Sequence, residues 1–184
     1  MNRAHILCCA ILTACTTIAG GPPPTSIPSG MVQEFGTSSS AAFTSESPFI
    51  EQNLWYRRAL GSRSEIQLAG GVFWSSDLFY YGAVGYRRYF KSKSENVQSG
   101  LDLKLGGPFY FEAGIPINKK LAGDSIWLTT HPSAGFNPYG LVHLPVGISW
   151  APKEKYRLNT SVGTRFLGGN PALFYWNGGI SFPF

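Results

Sequence analysis

The chain ends PALFYWNGGISFPF, residues 171–184. Phe174, Trp176, Ile180, Phe182 and Phe184 fall on one parity, while the interposed Tyr175, Asn177 and Ser181 are more polar. That is the two-residue period of a strand with one apolar face. An aromatic last residue with no polar tail belongs at the rim of a sheet, where in water it would be a sticky end. Pro183 removes one ladder donor inside this strand. Taken alone, the stretch also fits the last strand of a soluble β-sandwich.

The rest of the composition bears on that choice. The 184 residues suffice for one domain plus processing segments, or about 8–10 strands of roughly 10 residues with their turns. Aromatic residues reach 15% and charged residues only 14%, well under the usual quarter of a soluble domain. Mean hydropathy is −0.03 and no apolar run is long enough for a spanning helix. Neither observation speaks against a membrane barrel, in which apolar outward and polar inward positions average out. The net charge of +5 comes from Arg57/Arg58, Arg87/Arg88, Lys91/Lys93, Lys119/Lys120 and Lys153/Lys155, spaced along the chain. Such spacing predicts basic rims that meet anionic headgroups. A nucleic-acid groove would need a clustered patch, so no nucleic-acid partner is expected.

From Met31 onward, alternating segments are separated by Gly61-Ser62, Ser75-Ser76-Asp77, Gly106-Gly107-Pro108, Asn137-Pro138, Pro152-Lys153 and Gly168-Gly169-Asn170-Pro171. These delimit strands near 31–43, 48–60, 64–74, 78–90, 97–106, 109–118, 125–136, 140–151, 156–167 and 172–184. The expected fold is all-β: a closed antiparallel transmembrane β-barrel of about ten strands, with eight as the alternative. An even count puts both ends at one side. The first segment is the weakest, broken by Ser38 to Ser40, and the longer linkers, 91–96 and 119–124, fall on the side of the chain ends.

Face parity is sharpest in 156–167. Tyr156, Leu158, Thr160, Val162, Thr164 and Phe166 oppose Arg157, Asn159, Ser161, Gly163 and Arg165. Two arginines on one face exclude the dry interior of a soluble barrel, but fit either water outside such a barrel or a wet lumen inside a membrane one. The aromatic chain end, the aromatics near strand termini and the scarcity of charge favour lipid outside. On that parity Glu51, Glu65, Asp102, Lys104, Glu112, Arg157 and Arg165 line the lumen, a mixed set that pairs into salt bridges and leaves no permanent pore.

Asn177, Gly179, Phe182 and Phe184 resemble the C-terminal signal of bacterial outer-membrane β-barrels: a polar residue, a glycine two later, then aromatics three and five after that. The resemblance implies recognition by the barrel-assembly machinery of Gram-negative bacteria and location in the cell outer membrane, with outer-membrane lipid as partner. At the other end Arg3 precedes the apolar run Ile6 to Leu12, which reads as an export signal. Leu12-Thr13-Ala14-Cys15 resembles the lipobox of bacterial lipoproteins, implying cleavage before Cys15 and a diacylglycerol on its sulfur; an ordinary signal peptide cut near Ala19 is the alternative. The expected organisation is a signal peptide over 1–14, a lipidated Pro/Gly-rich tether over 15–30 and the barrel over 31–184.

Cys8, Cys9 and Cys15 all lie ahead of the barrel, in the export segment and at the start of the tether, which leaves the folded part no disulfide or thiolate site, and His131 with His143 alone makes no metal centre. No metal or cofactor is expected. One constellation carries chemistry: His131-Pro132-Ser133-Ala134-Gly135, with Glu112 on the preceding strand. A hairpin turning through Lys119 to Gly123 would oppose Glu112 to His131. The segment resembles the His-x-Ser of outer-membrane lipid A 3-O-deacylases, implying Ser133 as nucleophile and His131 as base, with Glu112 as the orienting acid. Such a site must face lipid, whereas the parity of 125–136 points both residues inward; Trp127 shares their face, which leaves the inverted parity open. Polar lumen lining is the other reading, and no catalytic residue is committed. The leading expectation is a structural or interaction barrel of the outer membrane. An esterase acting on lipid A or phospholipid, and a small-solute channel, are the alternatives.

Overall fold

The computed structural model describes residues 25–27, 30–43, 48–74, 78–107, 110–123, 125–137, 139–153, 155–167 and 173–184. Twelve strand segments run in chain order: β1 (Gln33–Phe43), β2 (Pro48–Gly61), β3 (Ser64–Trp74), β4 (Leu78–Tyr89), β5 (Val97–Gly106), β6 (Tyr110–Gly114), β7 (Ile117–Ala122), β8 (Ile126–Thr130), β9 (Ser133–Asn137), β10 (Tyr139–Lys153), β11 (Tyr156–Leu167) and β12 (Leu173–Pro183). All pairings are antiparallel and the ring closes where β12 meets β1, with Phe35 opposite Phe182. β6 and β7 share one span and β8 and β9 another, which makes a closed barrel of ten spans.

The two interruptions have one cause. Pro116 separates β6 from β7, Pro132 separates β8 from β9, and Pro145 lies in the adjoining β10. The register passes through unchanged: Gly114 opposes Ser133 and Ile117 opposes Thr130, while His143 opposes Ser133 and Val146 opposes Thr130. Three neighbouring spans therefore lack ladder donors at one level. The wall is held there by Ile115 N–H donating to Pro132 O at 2.9 Å, Gly100 N–H to Pro116 O at 3.1 Å, and Thr130 Oγ1 to Pro145 O at 2.6 Å.

The barrel is inside-out relative to a soluble one. Leu54, Leu68, Val84, Leu103, Leu144, Val146, Ile148 and Val162 are exposed at mid-span, whereas Glu34, Glu51, Asn53, Arg57, Glu65, Arg87, Asp102 and Glu112 are buried. Aromatics mark both borders of the apolar band. Phe35, Tyr86, Phe90, Trp150, Phe182 and Phe184 are exposed towards the rim where β1 begins, and Trp74, Tyr80, Phe111, Phe136, Phe166 and Phe174 towards the opposite rim. This is the two-girdle pattern of a barrel in lipid. The parity of β11 is thereby decided: Arg157 and Arg165 point into the lumen.

Four expectations are corrected. β1 is continuous, because Ser38 and Ser40 turn inward while Ser39 Oγ bonds Gln52 Oε1 at 2.9 Å across the outward face. The linker expected over 119–124 is mostly strand: β7 runs to Ala122, and the turn follows at Gly123, whose φ of +50° suits a glycine. That displacement changes the register, and Glu112 opposes Gly135 rather than His131. The pairs Arg57/Arg58 and Arg87/Arg88 are not simply rim charges, since Arg57 and Arg87 are fully buried in the lumen and only Arg58 and Arg88 face out. Adjacent strand residues point to opposite faces, so a basic pair must be split.

Pro183 is accommodated without loss. Phe184 and Gln33 exchange backbone bonds at 2.8 and 2.9 Å, which turns the nitrogen of Pro183 away from β1. On that other side β11 pairs with β12 only as far as Arg157 opposite Ser181. The missing donor falls where no strand partner exists.

Candidate functional site

The lumen holds the chemistry-bearing side chains, and most of them form one chain of ion pairs. Arg57, inward on β2, donates Nε to Glu34 Oε2 of β1 at 3.0 Å and Nη1 to Glu65 Oε1 of β3 at 3.2 Å. Arg87 of β4 donates Nη1 to the same Glu65 oxygen at 3.1 Å and Nη2 to Asp102 Oδ2 of β5 at 2.7 Å. Lys104 Nζ stands 3.9 Å from Asp102 Oδ2 and 3.6 Å from Glu112 Oε1 of β6. At the other end Arg157 of β11 reaches Glu34 Oε2 at 3.5 Å, and Ser181 Oγ of β12 donates to Glu34 Oε1. Alternating signs thus tie seven spans across the interior. Each charge offsets the desolvation of the next, the condition under which buried ions are tolerated.

A second group lies nearer the opposite rim. Tyr81 Oη donates to Glu51 Oε1, Tyr110 Oη to Glu112 Oε2, and Tyr175 Oη bonds His143 Nε2. The Arg165 guanidinium sits 5.9 Å from the Tyr175 ring centroid, and buried Tyr110 packs with Leu141, Tyr81 and Ala83.

The terminal mouth is occupied by the described part of the N-terminal segment. Thr25 is buried there; its carbonyl accepts from Arg57 Nη1 and its hydroxyl from Arg157 Nη1 at 2.7 Å. Arg157 Nη2 donates to Ser26 O at 3.1 Å, and Gln98 Nε2 to Ser26 Oγ at 3.0 Å. Beside this segment a vestibule of about 820 Å³ is lined by Glu65, Tyr89, Gln98, Lys120, Trp127 and Arg157 among others. Cys15 and the leader lie outside the described residues.

His131, Ser133 and Glu112 all point inward. Ser133 opposes Gly114, and a Cβ on Gly114 would lie 2.6 Å from His131 Nε2 and 2.8 Å from Ser133 Cβ, so the missing side chain makes room for both. The carboxylate beside His131 is Asp102, with Oδ2 at 3.2 Å from Nε2 but off hydrogen-bonding geometry. Ser133 Oγ has no hydrogen bond among the described residues and is buried. Glu112 is instead engaged by Tyr110 and Lys104. The trio is therefore turned away from acyl chains, on the opposite face of the wall. Among the described residues no three His, Cys, Asp or Glu side chains gather as for a metal ion.

Sequence reading placed Glu51, Glu65, Asp102, Lys104, Glu112, Arg157 and Arg165 in the lumen, where the structure has them, but missed the centre of the network, Glu34, Arg57 and Arg87. Their signal was available: Arg57 shares parity with Glu51 on β2, and Arg87 lies opposite Glu65 of β3.

No family model and no curated sequence matches the chain. Among solved structures it is similar to the KdgM porin, with a TM-score of 0.50 and 8% identity over 82% of this chain and 99% of that one. It is also similar to LpxR from Salmonella typhimurium, with a TM-score of 0.46 and 8% identity over 92% and 79% of the two chains. The N-terminal β-barrel domain of Pseudomonas aeruginosa OprF gives a TM-score of 0.42 and 11% identity over 83% and 96%. In fold, the chain is an all-β, closed antiparallel transmembrane β-barrel of ten spans.

Proposed function

We propose that the chain is an outer-membrane lipoprotein whose barrel is a closed structural and interaction element rather than a conduit or an enzyme. The observation that carries this is the ion-pair chain from Arg157 through Glu34, Arg57, Glu65, Arg87 and Asp102, capped at the mouth by Thr25. Fixed charges bonded to one another across a small lumen are unavailable to escort a solute. In planar bilayers the purified barrel is expected to give no stepwise conductance; discrete, reproducible openings would favour the channel reading instead. In cells it is expected in the outer-membrane fraction with heat-modifiable migration on gels, and recovery as a soluble periplasmic protein would end the membrane reading.

The lipid anchor is supported by position. Thr25 lies at the rim where β1 begins, and ten residues of chain separate it from Cys15, a length whose upper limit of reach is about 35 Å. That reach allows acyl chains on Cys15 to enter the adjoining leaflet. Mass spectrometry of the mature protein is expected to find a diacylglyceryl Cys15 at the N-terminus. An unmodified chain starting beyond Cys15 would leave an ordinary export signal and an unanchored barrel.

The assembly-signal reading of Asn177, Gly179, Phe182 and Phe184 rests on the closing seam. Phe182 and Phe184 project outward beside Phe35, while Asn177 Nδ2 bonds Ser40 Oγ at 2.8 Å inside. Replacing Phe184 by Glu removes apolar burial at the membrane border worth up to about 2–3 kcal/mol and puts a charge in its place. Slower insertion and degradation by periplasmic proteases are expected, and steady-state levels equal to wild type would count against the signal.

A further inference from the structure

The exposed charges are distributed unevenly between the two rims. Arg58 on β2, Arg88 on β4 and Lys119 on β7 face outward near the rim where β1 begins, and Arg63, Lys91 and Lys155 are exposed in the turns and linkers of the same rim. Acids occur in the segments of both sides, Glu95, Asp124 and Glu154 among those that follow β2, β4, β7 and β10 and Glu46 and Asp77 among those that follow β1 and β3, but Lys and Arg occur only in the former set. The outward cations adjoin the apolar band: Arg58 opposes Ile66, Arg88 opposes Leu101, and Lys119 stands between Val97 and Leu128. Their stems can run along apolar surface while the charged ends reach the headgroup layer. The inward cations Arg57, Arg87 and Arg157 are held by lumen carboxylates, so the collar's field is not theirs.

We propose that this collar is a docking surface for the phosphates of anionic glycerophospholipids in the leaflet that surrounds the terminal rim. The inference rests on the membrane-barrel reading and adds to it a lipid class and a side. Cations in a ring at headgroup depth attract anionic lipid additively, with each near-surface Lys or Arg contributing roughly fivefold. The opposite rim, lacking basic residues in its linkers, offers no comparable attraction for a phosphate-rich leaflet. The vestibule lies at the same rim, so recruited headgroups would gather around its mouth.

The full chain would be reconstituted into bilayer discs of phosphatidylcholine with a minor share of phosphatidylglycerol, and the lipids it retains on gentle release counted by native mass spectrometry. Retention enriched in phosphatidylglycerol, and falling by roughly fivefold for each cation removed in an Arg58→Gln, Arg88→Gln, Lys119→Gln series, is the expected result. High salt should weaken the enrichment of wild type in the same direction. Should the strand variants fold poorly, Arg63→Gln with Lys155→Gln, both in turns, supplies the same readout. Equal retention of the two lipids by wild type, or enrichment unchanged in the variants, overturns the collar, as does stronger retention of lipid A in discs that contain it. Failure to enter either bilayer overturns the membrane reading itself, whereas insertion without enrichment overturns only the collar.

Discussion

Replacing Arg57 by Met is expected to destabilise the barrel by about 3–5 kcal/mol, the cost of removing one partner of a buried ion pair. Arg57 is fully buried between Glu34 and Glu65, and its Nη1 also holds the Thr25 carbonyl. Methionine fills much of the volume but leaves Glu34 to Arg157 and Ser181 and Glu65 to Arg87 and Gln67, so negative charge in a low-dielectric interior loses its central cation. The loss is electrostatic, and a second change that removes charge should recover part of it: Arg57→Met with Glu34→Gln is expected to be more stable than Arg57→Met alone. Urea unfolding of the protein folded into lipid vesicles reads both values. A single-variant loss below about 1 kcal/mol, the level of an exposed pair, would mean that water reaches the network and that the lumen is open.

Val146→Arg is expected to cost about 2–4 kcal/mol, because a charge on the lipid face is most expensive at mid-bilayer. Val146 is the middle residue of β10, faces outward and is half exposed. The same substitution at Leu121, outward near the end of β7, should cost only about 0–1 kcal/mol, since the guanidinium there reaches headgroups. The depth dependence is the diagnostic. Equal, small costs at both sites would place water, not hydrocarbon, around the barrel. Refolding yield into vesicles and unfolding in urea give the comparison.

Much of the candidate site was legible without coordinates. The alternation of Arg157 and Arg165 against Leu158, Val162 and Phe166 divided β11 correctly into two faces, whereas the face of His131 and Ser133 stayed open in the sequence because Trp127 has the same parity. What parity left open was which face meets lipid, since a polar face reads the same on the outside of a soluble barrel and the inside of a membrane one. The register around Glu112 was not legible either. A hairpin's register depends on where its turn closes, and Lys119 to Ala122 are equally plausible as linker or strand until Lys119 pairs with Val97 and Leu128. The proline row was invisible for a related reason: Pro116, Pro132 and Pro145 are far apart in the chain and become neighbours only through pairing.

By itself, then, the order of residues determined an all-β chain of eight to ten alternating spans, the composition of the two faces and an aromatic closing strand, because these follow from a period of two and from turn chemistry that acts over a few residues. Only the tertiary structure decided that the ring closes at Phe35 and Phe182, and that Asp102 rather than Glu112 stands beside His131. It also decided that Arg57 and Arg87 belong to one buried chain of charge, and that the exposed cations gather at one rim. Those are relations between residues tens of positions apart, and pairing energies between distant strands, not local preference, set them.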